Sequence, residues 1–132
     1  MRHSLKGMID EQVRRALSRG HTIDITTTGR QSGQPRRIEV VFHNFDGRIY
    51  ISGMPRRQRR SWLANLDADP ALTFHLKGPV KADLPARARI LVDLVEREAV
   101  FRRIAHVWGR TDIETMVRWS PLIEVEIDGL AA

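Results

Sequence analysis

The stretch from residue 22 to residue 52 alternates short β-branched segments with two tight turns, and this pattern constrains the fold most. Residues 22–28 read Thr-Ile-Asp-Ile-Thr-Thr-Thr, and residues 36–45 and 48–52 also favour strands. The glycine-containing turn 29–35 and the pair Asp46-Gly47 separate these three segments. Such spacing is typical of consecutive hairpins. The sequence therefore predicts three meandering antiparallel strands.

The remainder of the chain predicts further strands flanked by helices. Apolar residues recur every three or four positions in 4–19, 58–66, 94–108 and 112–117, which predicts helices. Strands are predicted over 72–76, over 80–93 with a bulge or sheet edge at Leu84-Pro85, and over 122–127. About six strands in largely antiparallel order favour a mainly β (α+β) barrel over a parallel α/β sheet.

We expect one domain over residues 1–132, because the chain is long enough for one hydrophobic core. Its expected parts are an N-terminal helix in 1–20, barrel strands in 22–93, helices in 94–118 and a closing strand in 122–128.

Cysteine is absent, and this restricts the chemistry that the chain can perform. Disulfides, thiolate catalysis and cysteine-ligated metals are excluded, so redox chemistry would need a bound cofactor. The five histidines show no helical metal-binding pairing, and no metal site is expected. The sequence has no run of about 18 apolar residues and no signal-peptide core. We therefore expect no transmembrane segment, and we expect a cytoplasmic location.

Positive charge is concentrated in two arginine clusters, residues 30–37 and 56–60, within a net charge of +6. Guanidinium groups match phosphate and carboxylate geometry, and glycines in the first cluster let backbone amides approach an anion. A nucleotide-like cofactor, a nucleic acid and an anionic membrane all fit this charge. The turn at residues 52–55 is expected to bring the second cluster beside the first, so that both form one pocket rim.

A wider pattern of motifs resembles the deazaflavin-dependent nitroreductase family. The pattern comprises Thr-Thr-Gly-Arg-x-Ser-Gly-x-Pro-Arg at residues 27–36, Asp46-Gly47, Ser-Trp-x-x-Asn-Leu at 61–66 and Asp69-Pro70. The likeness extends from about residue 22 to residue 78. It implies a six-stranded split β-barrel of the FMN-binding-protein type, with coenzyme F-420 as the cofactor. It also implies hydride transfer to an activated alkene, quinone or nitro-type acceptor, and a homodimer.

The resemblance also implies which residues contact the cofactor. Residues of the first arginine cluster would hold the phosphate and the acidic tail, and the strand from Ile38 and the turn at Ser52 would lie against the ring. Familiar members often carry a lysine where Gln31 stands, and tyrosines near the C-terminus, whereas the one tyrosine here is Tyr50. The implied cofactor-binding residues are Arg30, Ser32, Gly33, Pro35, Arg36, Arg37, Ile38, Ser52, Gly53, Met54, Arg56, Arg57, Trp62 and Asn65.

Several alternatives remain open from the residues. FMN could replace the deazaflavin, or the chain could be a non-catalytic binding module for an apolar ligand or for nucleic acid. Nucleic acid is disfavoured because only Trp62 lies among the arginines. His43 is a weak candidate for a proton donor, with a surface-exposed strand position as the other interpretation. Trp108 and Trp119 are expected to be core aromatic residues, with pocket lining as the alternative.

Overall fold

Six antiparallel β-strands close into a barrel in the computed structural model, which describes residues 10–130. The strands follow the order β1-β2-β3-β6-β5-β4, and β4 pairs with β1 to close the barrel. This confirms the predicted antiparallel barrel and its three N-terminal meandering strands. The strands are β1 (Thr22–Thr28), β2 (Pro35–Phe45), β3 (Arg48–Ser52), β4 (Ala71–Leu76), β5 (Ala82–Ile90) and β6 (Leu122–Ile127).

Four helices flank the barrel in the described residues: α1 (Glu11–Leu17), α2 (Ser61–Ala68), α3 (Leu94–Trp108) and α4 (Ile113–Trp119). Helix α3 has both predicted bounds, α4 lies close to its predicted place, and α2 is shifted from the predicted 58–66 to Ser61–Ala68. For the first helix, residues 4–9 of the prediction lie outside the described residues. None of the helices within 10–130 has the length and apolar composition needed to cross a membrane.

Strand alternation fills the barrel interior with aliphatic and aromatic side chains. Ile23 and Ile25 of β1 are fully buried, as are Phe42 of β2 and Phe74 of β4. The rings of Phe42 and Phe74 meet edge to face with centroids 5.2 Å apart. Such a pair adds a specific contact to the burial of apolar surface. The barrel interior is therefore a packed core.

A second core lies between the barrel wall and the α3–α4 pair. Phe101 and Ile104 of α3 and Met116 of α4 are completely buried there, together with Tyr50 of β3. Asp93 begins α3 by accepting a hydrogen bond from the Glu96 backbone N–H. This packing fixes α4 against the barrel.

Strand β5 is shorter than the 80–93 predicted, and Pro85 lies inside it, opposite Thr73 of β4 and one residue beyond the β5–β6 ladder, which begins at Ala86. The Pro85 carbonyl accepts a hydrogen bond from the Asp128 N–H, just beyond the end of β6. Since the N–H and C=O of a strand residue point the same way, the missing proline donor faces the place where the β6 ladder has ended. The barrel therefore accommodates Pro85 within β5 without losing a ladder hydrogen bond to β6.

Helix α2 begins at Ser61 instead of Gln58, so the second arginine cluster precedes the helix. The Arg60 guanidinium donates a 2.7 Å hydrogen bond to the Met54 carbonyl. The Arg56 backbone N–H donates to the Trp119 carbonyl at 3.3 Å. These two contacts hold residues 54–60 as a loop over the end of α4, which local sequence patterns do not reveal.

From the two faces of β2 we expect alanine substitutions at two neighbouring residues to differ strongly in their effect on stability. Phe42→Ala should lower the free energy of unfolding by about 3–5 kcal/mol, because it leaves a cavity against Phe74. Val41, which is 37% exposed, faces outward, and Val41→Ala should change stability by about 0.5 kcal/mol or less. Urea denaturation measures both, and equal losses would contradict the assigned strand faces.

Candidate functional site

The turn between β1 and β2 is folded tightly by its own backbone. The Gly29 N–H donates to the Gln34 carbonyl and the Gly33 N–H donates to the Gly29 carbonyl, both at 2.8 Å. A Cβ atom on Gly29 would lie 2.6 Å from Ser32 Oγ, so a larger residue there would displace the serine. Gly33 has a φ of 71°, which glycine adopts without strain. The Gly-Arg-x-Ser-Gly motif therefore encodes one loop shape.

Asn65 connects this turn to helix α2. Its Oδ1 accepts a 3.1 Å hydrogen bond from the Arg30 backbone N–H, and its Nδ2 donates to Thr27 Oγ1 at 3.1 Å. Asn65 is 4% exposed and Thr27 is 2% exposed, so both groups are shielded from water. Buried amide hydrogen bonds of this kind fix the relative position of the segments they join. The turn and the start of α2 thus form one unit.

A cavity of about 430 Å³ opens between the turn and the start of α2, and we name it the hairpin cavity. Arginine and hydroxyl groups lie beside an apolar wall from β2 and α2. Its lining residues are Thr27, Gly29, Arg30, Gln31, Ser32, Arg36, Ile38, Ser61, Trp62 and Asn65.

The hairpin cavity has a positive electrostatic character. In residues 10–130 no carboxylate lies within ion-pair distance of the Arg30 or Arg36 guanidinium. Their side-chain contacts are neutral oxygens, Asn65 Oδ1 and Ser32 Oγ, each at 3.5 Å. The N-cap residue of α2, Arg60, makes no side-chain capping bond. Ser61 and Trp62, the first two residues of this helix, line the cavity, so the first turn of α2 borders it. This arrangement can bind a phosphate or a carboxylate.

Strand alternation separates the predicted residues of β2. Arg36 and Ile38 face the hairpin cavity, whereas Arg37 points to the opposite face and pairs with Asp24 at 2.9 Å. Hydrogen bonds from Lys77 and then Arg37 lower the pKa of the Asp24 carboxyl. Arg37 is therefore engaged outside the cavity.

The other implied residues divide between two places. Arg30, Ser32, Trp62 and Asn65 line the hairpin cavity, and Gly33 shapes its turn. Pro35 is the exposed first residue of β2 and is not among the cavity-lining residues.

The second arginine cluster lines a different cavity, so the expected single rim is not formed. This α4 cavity measures about 900 Å³ and is bordered by residues 56–60, 90–92 and 117–121. Arg56 and Arg57 belong to it. The Ser52-Gly53-Met54 turn lies on the same side of the barrel, where Ser52 Oγ donates to the Pro121 carbonyl at 2.7 Å.

His43 does not line the hairpin cavity, and its role as a proton donor stays a prediction. The ring is 4% exposed and packs between Phe45 and Trp108, outside the lining of the hairpin cavity. It lies at an odd position of β2, on the strand face opposite Arg36 and Ile38. Burial lowers the pKa of His43 to about 4, so the imidazole is neutral at pH 7. His43 is also not the surface-exposed residue of the other interpretation.

The two C-terminal tryptophans differ in their surroundings. Trp108 is half-buried against His43, as expected of a core aromatic residue. Trp119 is 39% exposed and lines the α4 cavity, with the Arg57 guanidinium 5.6 Å from its ring centroid. The expectation of a core position is therefore wrong for Trp119.

Sequence reasoning did not assign four of the hairpin-cavity residues. Thr27, Gly29 and Ser61 were within the recognised motifs, and Gln31 was noted only as a departure. Two signals could have identified Thr27 and Ser61. Thr27 occupies an alternating, buried position of β1, and Ser61 stands at the start of a helix. In the described part of the chain, no group of three or more His, Cys, Asp or Glu residues is placed to hold a metal ion.

Comparisons with known proteins agree on the fold and match a family. The sequence profile described as F420H(2)-dependent quinone reductase matches residues 5–126. A search of curated proteins finds no significant match.

Solved structures with the same fold have diverse descriptions. An F420-H2 dependent reductase (FDR-A) is 22% identical, with a TM-score of 0.58 over 80% of this chain and 93% of that one. A structure described as a domain-swapped dimer is 21% identical, with a TM-score of 0.62 over 88% and 95%. An FAD-binding protein from Mesorhizobium loti is 13% identical, with a TM-score of 0.58 over 92% and 91%. At these identities the likeness shows the fold alone.

The Asn65 contacts predict a loss of stability that an exposed residue of the same helix does not share. Asn65→Ala should lower the free energy of unfolding by about 1–3 kcal/mol, because it leaves the Arg30 N–H and the Thr27 hydroxyl without their partner. Asp67→Ala, which removes an exposed ion pair with Arg59, should cost about 1 kcal/mol or less. Denaturant unfolding tests this, and an Asn65→Ala variant as stable as the parent would refute the connection.

The lowered pKa of His43 predicts a specific pH dependence. The unfolded chain takes up a proton near the ordinary histidine pKa of 6.5, and the folded chain does so only near 4. The contribution of this residue is therefore complete above pH 6.5 and is lost as pH falls towards 4. Between pH 7 and pH 5 the parent should lose more unfolding free energy than His43→Phe does. His106→Phe, at an exposed position of α3, should behave like the parent, and parallel pH profiles for His43→Phe and the parent would contradict the burial effect.

Proposed function

The chain belongs to the F420H(2)-dependent quinone reductase family, and we propose that it holds the phosphate of reduced coenzyme F-420 in the hairpin cavity. The observation that carries this proposal is the pair of arginines, Arg30 and Arg36, that share the cavity without a carboxylate partner in residues 10–130. Both arginines are exposed, so their guanidinium groups are accessible to an anion beside the first turn of α2.

The donor set of the cavity fits a phosphate. Arg30 and Arg36 can each present a fork of N–H groups, and the hydroxyls of Ser32 and Ser61 add donors on either side. The positive end of α2 adds a favourable field. Because Asn65 and the Gly29–Gln34 hydrogen bond already fix the turn, little conformational entropy would be lost on binding.

The apolar part of the cavity fits the ring system of the cofactor. Ile38 and the buried Trp62 border the same space as the arginines, so an apolar body attached to a phosphate would contact both parts. Reduced coenzyme F-420 supplies the hydride, and the residues of this chain bind it, orient it and exclude water.

The acceptor is proposed to be a quinone, as the family description indicates, with activated alkenes and nitro compounds as further test substrates. No His, Asp, Glu, Lys or Tyr is among the described residues that line the hairpin cavity. A reduced acceptor would therefore take its proton from solvent. A pH profile of turnover without a protein-derived pKa near neutrality is consistent with this role.

Other features of the proposal remain predictions. A homodimer is supported by the similar structure described as a domain-swapped dimer. A cytoplasmic location and a single-domain organisation are retained from the sequence. FMN is the second cofactor candidate, because its phosphate fits the same arginines and an FAD-binding protein shares the fold.

The cofactor proposal is tested by titrating the purified protein with coenzyme F-420 and following deazaflavin fluorescence. Arg30→Ala and Arg36→Ala should each weaken binding about 10- to 100-fold, since a hydrogen bond to a charged group is worth roughly 1.5–3 kcal/mol. Arg37→Ala is the matched control, because this neighbour of Arg36 on β2 pairs with Asp24 on the opposite face. Its affinity should stay within about threefold of the parent.

Three outcomes would count against the proposal. An Arg37→Ala loss as large as that of Arg36→Ala would mean that general charge, and not the hairpin cavity, holds the cofactor. Tighter binding of FMN than of coenzyme F-420 would favour the flavin alternative. No coenzyme F-420 binding at tens of micromolar would remove the proposed cofactor altogether.

A further inference from the structure

Three side chains on the outer face of the barrel are joined by hydrogen bonds, and we name them the barrel triad. His75 of β4 lies between Thr26 of β1 and Asp83 of β5. Its Nε2 is 2.7 Å from Thr26 Oγ1, and its Nδ1 is 2.6 Å from Asp83 Oδ1. All three residues lie outside the linings of the hairpin cavity and the α4 cavity. The barrel triad is therefore separate from the proposed cofactor site.

Strand pairing brings the barrel triad together from three strands. Ile25 of β1 and Phe74 of β4 point into the barrel core, so the next residues, Thr26 and His75, point outward. The β4–β5 register places Asp83 directly opposite His75, and the β1–β4 register places Thr26 diagonally across from it. Because these strands belong to one closed barrel, the backbone fixes the order of the three groups.

Asp83 determines which ring nitrogen of His75 carries the proton. An ionised carboxylate only accepts hydrogen bonds, so the Nδ1–H of His75 donates to it. The hydrogen bond from His75 lowers the pKa of the Asp83 carboxyl, which keeps it ionised at neutral pH. In the neutral imidazole Nε2 is then an acceptor, and the Thr26 hydroxyl donates to it. The proton of this hydroxyl therefore points at a base.

A second carboxylate near His75 is occupied by other partners. Asp24 is the cross-strand partner of His75 on β1. Its carboxylate accepts a 2.8 Å hydrogen bond from Lys77 and a 2.9 Å hydrogen bond from Arg37. Asp83 is thus the carboxylate that orients the imidazole.

The exposure of the three residues differs in the way that a nucleophile and its base require. His75 is 7% exposed, so water is kept from competing for its ring nitrogens. Thr26 is half-buried, and a small molecule can reach it from solvent. A hydroxyl that donates to an imidazole, which in turn is oriented by a carboxylate, is the arrangement that activates an alcohol for nucleophilic attack.

We propose that Thr26 is a nucleophile for acyl transfer from small activated carboxylic esters, with His75 as its general base and Asp83 as the positioning residue. Thr26 Oγ1 forms a bond to the carbonyl carbon while its proton passes to His75 Nε2. The ester C–O bond then breaks, and the alcohol leaves with that proton. Water attacks the acyl group on Thr26, again with His75 as base, and releases the carboxylic acid. Neither half-reaction changes an oxidation state, so the reaction is independent of the hydride cofactor.

The test uses p-nitrophenyl acetate on the folded full chain, with the acetylated residue identified by peptide mass spectrometry. The parent should acquire one acetyl group on Thr26. Thr26→Val, which removes the hydroxyl at nearly constant volume, should not be acetylated at this position, whereas Thr26→Ser should be. Thr73→Val is the matched control, because Thr73 is the cross-strand partner of Thr26 on the same outer face. It should become acetylated on Thr26 as the parent does.

Asp83 separates a catalytic arrangement from a purely structural one. Its side chain is 76% exposed, so Asp83→Asn should remain folded. It should nevertheless slow acetylation of Thr26 about 100-fold, because the amide no longer favours the proton on Nδ1. Long-range ¹H–¹⁵N spectra of the His75 ring provide a second measurement, and they should show a protonated Nδ1 and an unprotonated Nε2 in the parent.

Several outcomes would overturn the proposal. Acetylation of lysines with none on Thr26 would remove the nucleophile, and an unchanged acetylation rate in Asp83→Asn would remove the role of the carboxylate. A protonated Nε2 in the parent would reverse the direction of the Thr26 hydrogen bond. Coenzyme F-420 affinity in Thr26→Val should match the parent, and a fall of about tenfold or more would make this face part of the cofactor site. The acetylation result does not depend on whether the hairpin cavity binds the cofactor.

Discussion

The contact of Asn65 with the β1–β2 turn is the interaction on which the proposed cofactor site depends. The Asn65 side-chain amide accepts a hydrogen bond from the Arg30 backbone N–H and donates one to the Thr27 hydroxyl. This one buried amide joins helix α2 to the hairpin. As a result, the first residues of α2, Ser61 and Trp62, line the same hairpin cavity as Arg30 and Arg36. An anion site assembled from a turn, a strand and a helix needs such a connection, because each part alone provides only a weak and flexible set of donors.

The barrel topology divides the positive charge of the chain into distinct tasks. Strand alternation turns Arg36 into the hairpin cavity and Arg37 onto an outer ion-pair cluster. The loop before α2 carries Arg56 and Arg57 to the end of α4. Clustering in sequence is therefore a poor guide to clustering in space. The positive charge behind the net charge of +6 is divided between two separate cavities and is not gathered on one binding face.

Much of the fold could be predicted because its signals are local. β-branched alternation and the Asp46-Gly47 turn gave the first three strands, and the Gly-Arg-x-Ser-Gly motif located the hairpin cavity. The errors concern long-range contacts. The start of α2 depends on Arg60 reaching Met54, and the exposure of Trp119 depends on Arg97 holding α4. His43 was misplaced because strand parity shows which residues share a face, but not that α3 covers that face.

The central claim is that the hairpin cavity holds the cofactor phosphate. It is tested most directly by an experimental structure of the chain with coenzyme F-420 bound. The account predicts phosphate oxygens within hydrogen-bond distance of the Arg30 and Arg36 guanidinium groups, beside Ser61 at the start of α2. A phosphate bound instead by Arg56 and Arg57 in the α4 cavity would contradict it.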